Sequence, residues 1–177
     1  KWSSLSTNTI NLTTKAYFDQ FTQAPLVREF LDLVFDFDYA IVGGLAVSFW
    51  VKERKPTPGE LDILVAEEEI NDLLELLEKQ HYTIEGWKGL EITNVAVKKE
   101  DFRFDILLAQ DDWLKEELLF TITVPDRKIK VLHPKGIIKM KLLALREKDM
   151  KDVELLENFI KNAQFHAKIT YQICPKA

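Results

Sequence analysis

The stretch Tyr39 to Val65, YAIVGGLAVSFWVKERKPTPGELDILV, constrains the chain more than any other. The apolar run Tyr39 to Val42 reads as a buried strand. Gly43 and Gly44 follow at once, and LAVSFWV continues as a helix-compatible run with no breaker. Between Lys52 and Gly59 stand two prolines, Thr57 and a glycine, which end any helix. ELDILV then alternates Glu60 and Asp62 with Leu61, Ile63 and Val65, as a half-buried strand does.

Residues i and i+2 of a strand share a face, so Glu60 and Asp62 point the same way. Two neighbouring carboxylates repel unless a cation lies between them. A hard divalent ion such as Mg²⁺ takes oxygen ligands and is commonly held by carboxylates together with substrate phosphates. Gly43 and Gly44 sit at a strand-to-helix junction, where bare backbone N–H groups and the helix dipole suit a phosphate. Taken singly, a Gly-Gly is a tight turn and E-x-D a solvated face. Together they offer a place for phosphates and for the metal that accompanies them.

The chain has 177 residues, which fits one domain with a helical appendage. No apolar run approaches the ~18 residues of a membrane helix, and no basic-then-apolar leader opens the sequence, so a cytoplasmic location without membrane contact is expected. One cysteine, Cys174, excludes an intramolecular disulfide, and with three scattered histidines it argues against a zinc site. The net charge of −5 is unevenly spread. Residues 1–126 carry 12 basic against 24 acidic side chains, a balance of −12; residues 127–177 carry 12 against 5, a balance of +7. Phosphate-binding charge is therefore expected from the last third.

Residues 1–24 read as a loose arm, 25–157 as the main domain and 158–177 as a tail packed on it. Pro25 opens a helix with an apolar stripe of Leu26, Phe30, Leu33 and Val34, with Val27 and Leu31 beside them. Ile70, Leu73, Leu74 and Leu77 mark an amphipathic helix over Glu67 to Gln80, with acids in its first turn. Two strands flank Trp87-Lys88-Gly89. In DFRFDILLA, Phe102, Phe104, Ile106 and Leu108 face one way and Arg103, Asp105 and Leu107 the other. Asp105 is thus an acid among apolar residues in mid-strand, costly to bury alone, or else an edge-strand acid in water. A short helix from Asp111, with Trp113 packed inward, and a hairpin through Pro125-Asp126 follow. Tyr171 and Ile173 form a last strand or pack as a tail.

From Pro134 two helices are expected, bent near Glu147. At ~100° per residue, Lys139 and Arg146 fall within ~40° of Lys135, on a solvated stripe. Lys141 falls near ~240°, between Ile137 on one side and Ile138 and Leu145 on the other. A lysine there either snorkels to water or meets an anion, whether phosphates or the acidic cluster.

The strand ending in Gly-Gly, the helix, the loop with a basic residue and Thr, and [DE]-h-D-h-h-V resemble the nucleotidyltransferase fold of the DNA polymerase β superfamily. The nearest likeness is to its minimal and AbiEii-like members, many of them toxins of toxin–antitoxin pairs. KLLALREKDMKD resembles that family's second signature, with Lys141, Arg146, Lys148, Asp149 and Asp152 on its positions. The resemblance spans Asp38 to Glu157 and departs at Leu45, where relatives place Ser or Thr, at Glu60, where Asp is commoner, and in the slightly long loop before Glu60, which leaves Arg54, Lys55 and Thr57 open for the family's Arg and Thr places.

The resemblance implies an α+β fold with a mixed sheet, flanking helices and a short C-terminal helical segment. It implies Mg²⁺-dependent transfer of a nucleoside monophosphate from an NTP to an acceptor, releasing pyrophosphate. Glu60, Asp62 and Asp105 would then be the catalytic carboxylates and metal ligands, for one Mg²⁺ or two. Gly43, Gly44, Thr57, Lys141 and Lys148 would bind the nucleotide's phosphates, Lys141 also stabilising the transition state. The acceptor would be tRNA, a protein or a small molecule, and an antitoxin protein would be a further partner. The alternatives are an inactive binding partner on the same fold and an antibiotic-modifying enzyme.

Overall fold

The computed structural model of the chain describes residues 16–85, 93–144 and 146–173. Seven helices and seven strands form an α+β arrangement around one mixed sheet among these residues. The helices are α1 (Ala16–Gln23), α2 (Pro25–Val34), α3 (Gly43–Trp50), α4 (Ile70–Lys79), α5 (Asp112–Leu119), α6 (Pro134–Ala144) and α7 (Met150–Ile173). The strands are β1 (Tyr39–Val42), β2 (Glu60–Ala66), β3 (Thr83–Glu85), β4 (Asn94–Lys99), β5 (Phe102–Ala109), β6 (Ile122–Val124) and β7 (Ile129–Val131).

The sheet runs in the order β3-β4-β5-β2-β1-β7-β6. β1 and β2 are antiparallel neighbours, while β2 pairs with β5 and β1 with β7 in parallel. β1 is buried along its whole length and β2 from Ile63 onward, because helices cover the centre of the sheet on both faces. Leu61, Ile63 and Val65 reach one side; Asp62 and Leu64 reach the other.

The helices form where the apolar period says they should. α2 begins on a proline at its first turn, whose fixed φ suits that position. Its buried residues are Val27, Phe30, Leu31 and Val34, an i, i+3, i+4, i+7 stripe within the expected apolar face, with Leu26 and Leu33 half-buried at its edges. The Phe30 ring stacks on Phe104 of β5 with centroids 4.0 Å apart, and Tyr82 closes the cluster edge-on. Removing either phenylalanine side chain would cost about 3–5 kcal/mol. α4 buries Ile70, Leu73, Leu74 and Leu77 and is entered through one 3₁₀ turn, Glu67–Glu69.

Three local expectations change. From Ala16 on, the expected loose arm is helix α1, and its Phe18 is fully buried against Phe49 at 5.0 Å. The segment after Ile160 continues α7 to Ile173 rather than forming a strand. α6 stops at Ala144, so Arg146 is not on its stripe but on extended backbone before the 3₁₀ turn Glu147–Asp149. Trp87, Lys88, Gly89, Leu145 and Cys174 lie outside the described residues. No described helix is long and apolar enough to cross a membrane.

Candidate active site

The antiparallel register places Val42, the last residue of β1, opposite Asp62. The next residue, Gly43, turns the chain into α3 with φ +64, a left-handed conformation that suits glycine. A Cβ at Gly43 would also overlap the Asp62 carboxylate. Backbone and carboxylate are thus pressed together, and the glycine is needed on two counts. Gly44 opens toward another group, with the Arg54 Nη2 3.3 Å from where its Cβ would stand.

β5 runs parallel to β2 with Asp62 in register with Asp105. The two carboxylates share one face of the sheet and form the floor of a cavity of about 350 Å³. Val42, Gly43, Asn94, Arg103 and Leu107 complete the strand side; Ile137, Met140, Lys141, Ala144 and Arg146 form the opposite wall.

The floor carries strong negative charge. Burial, then the charges of Asp105 and Glu60, push the Asp62 carboxyl from 3.8 up to about 6, with Lys141 and Arg146 pulling the other way. Asp105 is met by Arg103, whose Nε lies 2.9 and 3.0 Å from its two oxygens and whose Nη2 lies at 2.8 Å. That guanidinium also feels Glu85 and Glu60.

The opposite wall is basic but internally paired. The Lys141 ammonium donates to Asp149 Oδ1 at 2.8 Å and lies 2.9 Å from Asp152 Oδ2. Arg146 Nε donates to Asp149 Oδ2 at 2.6 Å and Arg54 Nε to Asp152 Oδ1 at 2.7 Å. Burial pushes both aspartates up, but the hydrogen bonds from Lys141 and the arginines outweigh it and hold their carboxyls below the usual range.

Among the expected site residues, Gly43, Asp62, Asp105 and Lys141 meet at the cavity. Gly44 lies one residue beyond its lining, beneath Arg54. Glu60 is exposed at the rim and does not line the cavity, although its charge reaches Asp62. Thr57 and Lys148 are exposed and also outside the lining. Lys141 is buried, at 7% side-chain exposure, rather than reaching out to water. Its partners are Asp149 and Asp152 rather than the strand carboxylates, because α7 folds back on α6 and brings those acids under it. Asn94 and Arg103 entered without a residue-level expectation of a role, whereas Arg54 is one of the three residues, with Lys55 and Thr57, that the resemblance leaves open for the motif's Arg and Thr places. For Arg103 a signal existed, since it sits two residues from Asp105 and so on the same face of β5.

The donor set fits a hard cation. Asp62 and Asp105 supply oxygen ligands only, side by side, with Asp62 poorly neutralised. Among the described residues no three His, Cys, Asp or Glu side chains gather as a complete metal cage. Two carboxylates with the rest of the shell from substrate phosphates and water is the usual arrangement for Mg²⁺.

The sequence matches no protein-family model, and no curated protein matches it significantly. Solved structures do resemble the fold. A crystal structure of ANT(2'')-Ia in complex with adenylyl-2''-tobramycin aligns with a TM-score of 0.55 and 16% identity over 84% of this chain and 99% of that one. The solution structure of the antibiotic-resistance factor ANT(2'')-Ia aligns at 0.59 and 14% identity, covering 86% and 95%. The Megavirus polyadenylate synthase aligns at 0.52 and 14% identity, covering 86% of this chain but 35% of that one. The mixed seven-stranded sheet with its helices is therefore the nucleotidyltransferase fold.

Proposed function

We propose that the protein is a Mg²⁺-dependent nucleotidyltransferase. The observation that carries this reading is the in-register pair Asp62–Asp105 beside the left-handed Gly43, facing a basic wall across one cavity. The nucleotidyltransferase fold of the structures it resembles supports it.

Asp62 and Asp105 would hold Mg²⁺, with Glu60 at the rim able to join a second ion by side-chain rotation. When bound, Mg²⁺ neutralises charge building on the phosphate oxygens. The acceptor hydroxyl oxygen forms a bond to the α-phosphorus of an NTP. The bond from that phosphorus to the bridging oxygen breaks, and pyrophosphate leaves with the electron pair. Asp105 accepts the hydroxyl proton once Arg103 has released part of its carboxylate. Gly43 and Gly44 offer backbone N–H groups to the phosphates, and the basic wall balances the tail.

The test is incubation with each α-labelled NTP, Mg²⁺ and a cell extract. Label transferred by the wild type and lost in Asp62→Asn supports the reading. No transfer with any NTP in a competent extract refutes it and leaves a binding protein on this fold.

One observation favours a small-molecule acceptor. The chain and ANT(2'')-Ia, a resistance factor whose crystal structure holds an adenylylated tobramycin, match over nearly the whole of the latter. Aminoglycosides therefore belong among the acceptors tried. The toxin reading rests on the order of the two sequence signatures. Growth arrest on expression, absent with Asp62→Asn and relieved by a neighbouring gene product, would support it.

A further inference from the structure

Five charged side chains alternate in sign in a chain that begins at the cavity wall with Arg146 and Lys141 and runs behind it: Arg146, Asp149, Lys141, Asp152, Arg54. The three inner members are buried, each at 6–7% side-chain exposure. The two arginines are not, at 56% and 28%. Three cations against two anions leave one positive charge over, and it resides at the ends.

We infer that Arg146 and Arg54 are the two arms that grip the phosphate tail of the nucleotide, and that Lys141, Asp149 and Asp152 are the buried bracket that aims them. This rests on the NTP reading above and assigns the tail to residues outside the strand motif.

Placement supports it first. Arg146 lines the same cavity as Asp62 and Asp105, and Arg54 lies over Gly44 at the start of α3. A phosphate chain leaving the carboxylates across Gly43 and Gly44 passes from one arm toward the other. Geometry supports it next. Arg146 is held through Nε, and its two terminal nitrogens make no hydrogen bond among the described residues. Arg54 is held through Nε to Asp152 at 2.7 Å, with Nη2 reaching the same carboxylate at 3.4 Å and Nη1 donating to the Lys55 carbonyl, so a phosphate would draw a terminal nitrogen away from one of these partners. A guanidinium fixed by its inner nitrogen alone, as Arg146 is, presents a fork to a phosphate. Lys141, by contrast, spends its donors on two aspartates inside the protein. It acts as a positioning residue, not as a group that touches the substrate.

The bracket also explains the spacing of KLLALREKDMKD. Asp149 and Asp152 are three residues apart at the start of α7, so one ammonium from α6 meets both, and each aspartate's other oxygen is left for an arginine.

The experiment uses the full chain with Mg²⁺ and two probes, inorganic tripolyphosphate and nucleoside monophosphates, followed by calorimetry and thermal melting. Arg146→Gln and Arg54→Gln should each weaken tripolyphosphate binding on the order of tenfold or more, leave monophosphate binding unchanged, and flatten the salt dependence of the tripolyphosphate affinity. Arg146→Lys should recover only part of the loss, since it restores charge without the fork. Equal tripolyphosphate binding by wild type and both glutamine variants overturns the inference while leaving the NTP reading intact. An equal loss of both probes also overturns it, because that is the mark of a general structural role. Failure of the wild type to bind any NTP or tripolyphosphate instead removes the reading beneath it.

Discussion

The two walls of the cavity solve the same problem, a buried charge, in opposite ways. On the strand side, Asp62 is pushed up to about 6 by burial and by its acidic neighbours, while Arg103 binds Asp105 rather than Asp62. On the helix side, every aspartate oxygen has a cation, and the carboxyls are held below their ordinary range. The strand wall is therefore an incomplete site that a cation would finish, and the helix wall is complete before any ligand arrives. The proposed chemistry would use both: uncompensated negative charge to draw a cation and a rigid mount for the cationic side chains.

The comparison breaks most sharply at Lys141. Lys141→Met leaves Asp149 and Asp152 buried without the cation between them, and breaking a buried pair in this way typically costs about 3–5 kcal/mol. Urea unfolding should show a loss of that size; a change below about 1 kcal/mol would mean the bracket is not a mount. Asp62→Asn should do the reverse. It removes a carboxylate that is disfavoured without metal, so the melting temperature in metal-free buffer should rise, while transfer falls on the order of 10²-fold or more. Unchanged transfer would falsify the metal-site assignment.

Smaller effects sharpen the contrast. Gly43→Ala forces a side chain into the left-handed region, at about 1–2 kcal/mol, and displaces the Asp62 carboxylate. Melting and Mg²⁺ titration should both register it; a variant with normal Mg²⁺ binding would separate the glycine from the site. The helix wall also sets an acid limit. Asp149 and Asp152 have folded pKa values below their unfolded value of 3.8, so their contribution is complete above that value and is lost as pH falls through the lower, folded ones. Unfolding monitored down the pH scale should show wild-type stability dropping below about pH 4. That drop should be smaller in a Lys141→Met background, where the cation shared by both aspartates is gone and only Arg146 and Arg54 still lower their pKa values. Last, Lys135→Ala on the exposed face of α6 should change stability by no more than about 0.5 kcal/mol and leave tripolyphosphate binding as it is. A larger effect on binding than that of Arg146→Gln would move the phosphate arm to the other side of the helix.

Local pattern carried much of this. Alternation in ELDILV and FRFDILLA placed Asp62 and Asp105 on the polar side of their strands, since side-chain direction has period two whatever the neighbours are. The helical angle of Lys141 placed it among apolar residues for the same reason. The glycine pair marked the turn. Legibility failed where chain ends and helix ends intervene. The angular reading carried Arg146 two residues past the end of α6, where a helical period no longer applies. Glu60 shares a face with Asp62, but its place near the strand's start leaves it in solvent.

What the sequence by itself determined is therefore which side chains share a face and where the strand, turn and helix fall, because those follow from backbone periods of two and 3.6 residues. What only the tertiary structure decided is which charges meet. Asp62 faces Asp105 because β5 inserts beside β2 in parallel, 43 residues on. Arg54 reaches Asp152 across 98 residues because α7 packs back on α3. A charge finds its partner through sheet order and helix docking, which the burial of apolar residues such as Phe30, Phe104 and Leu156 sets.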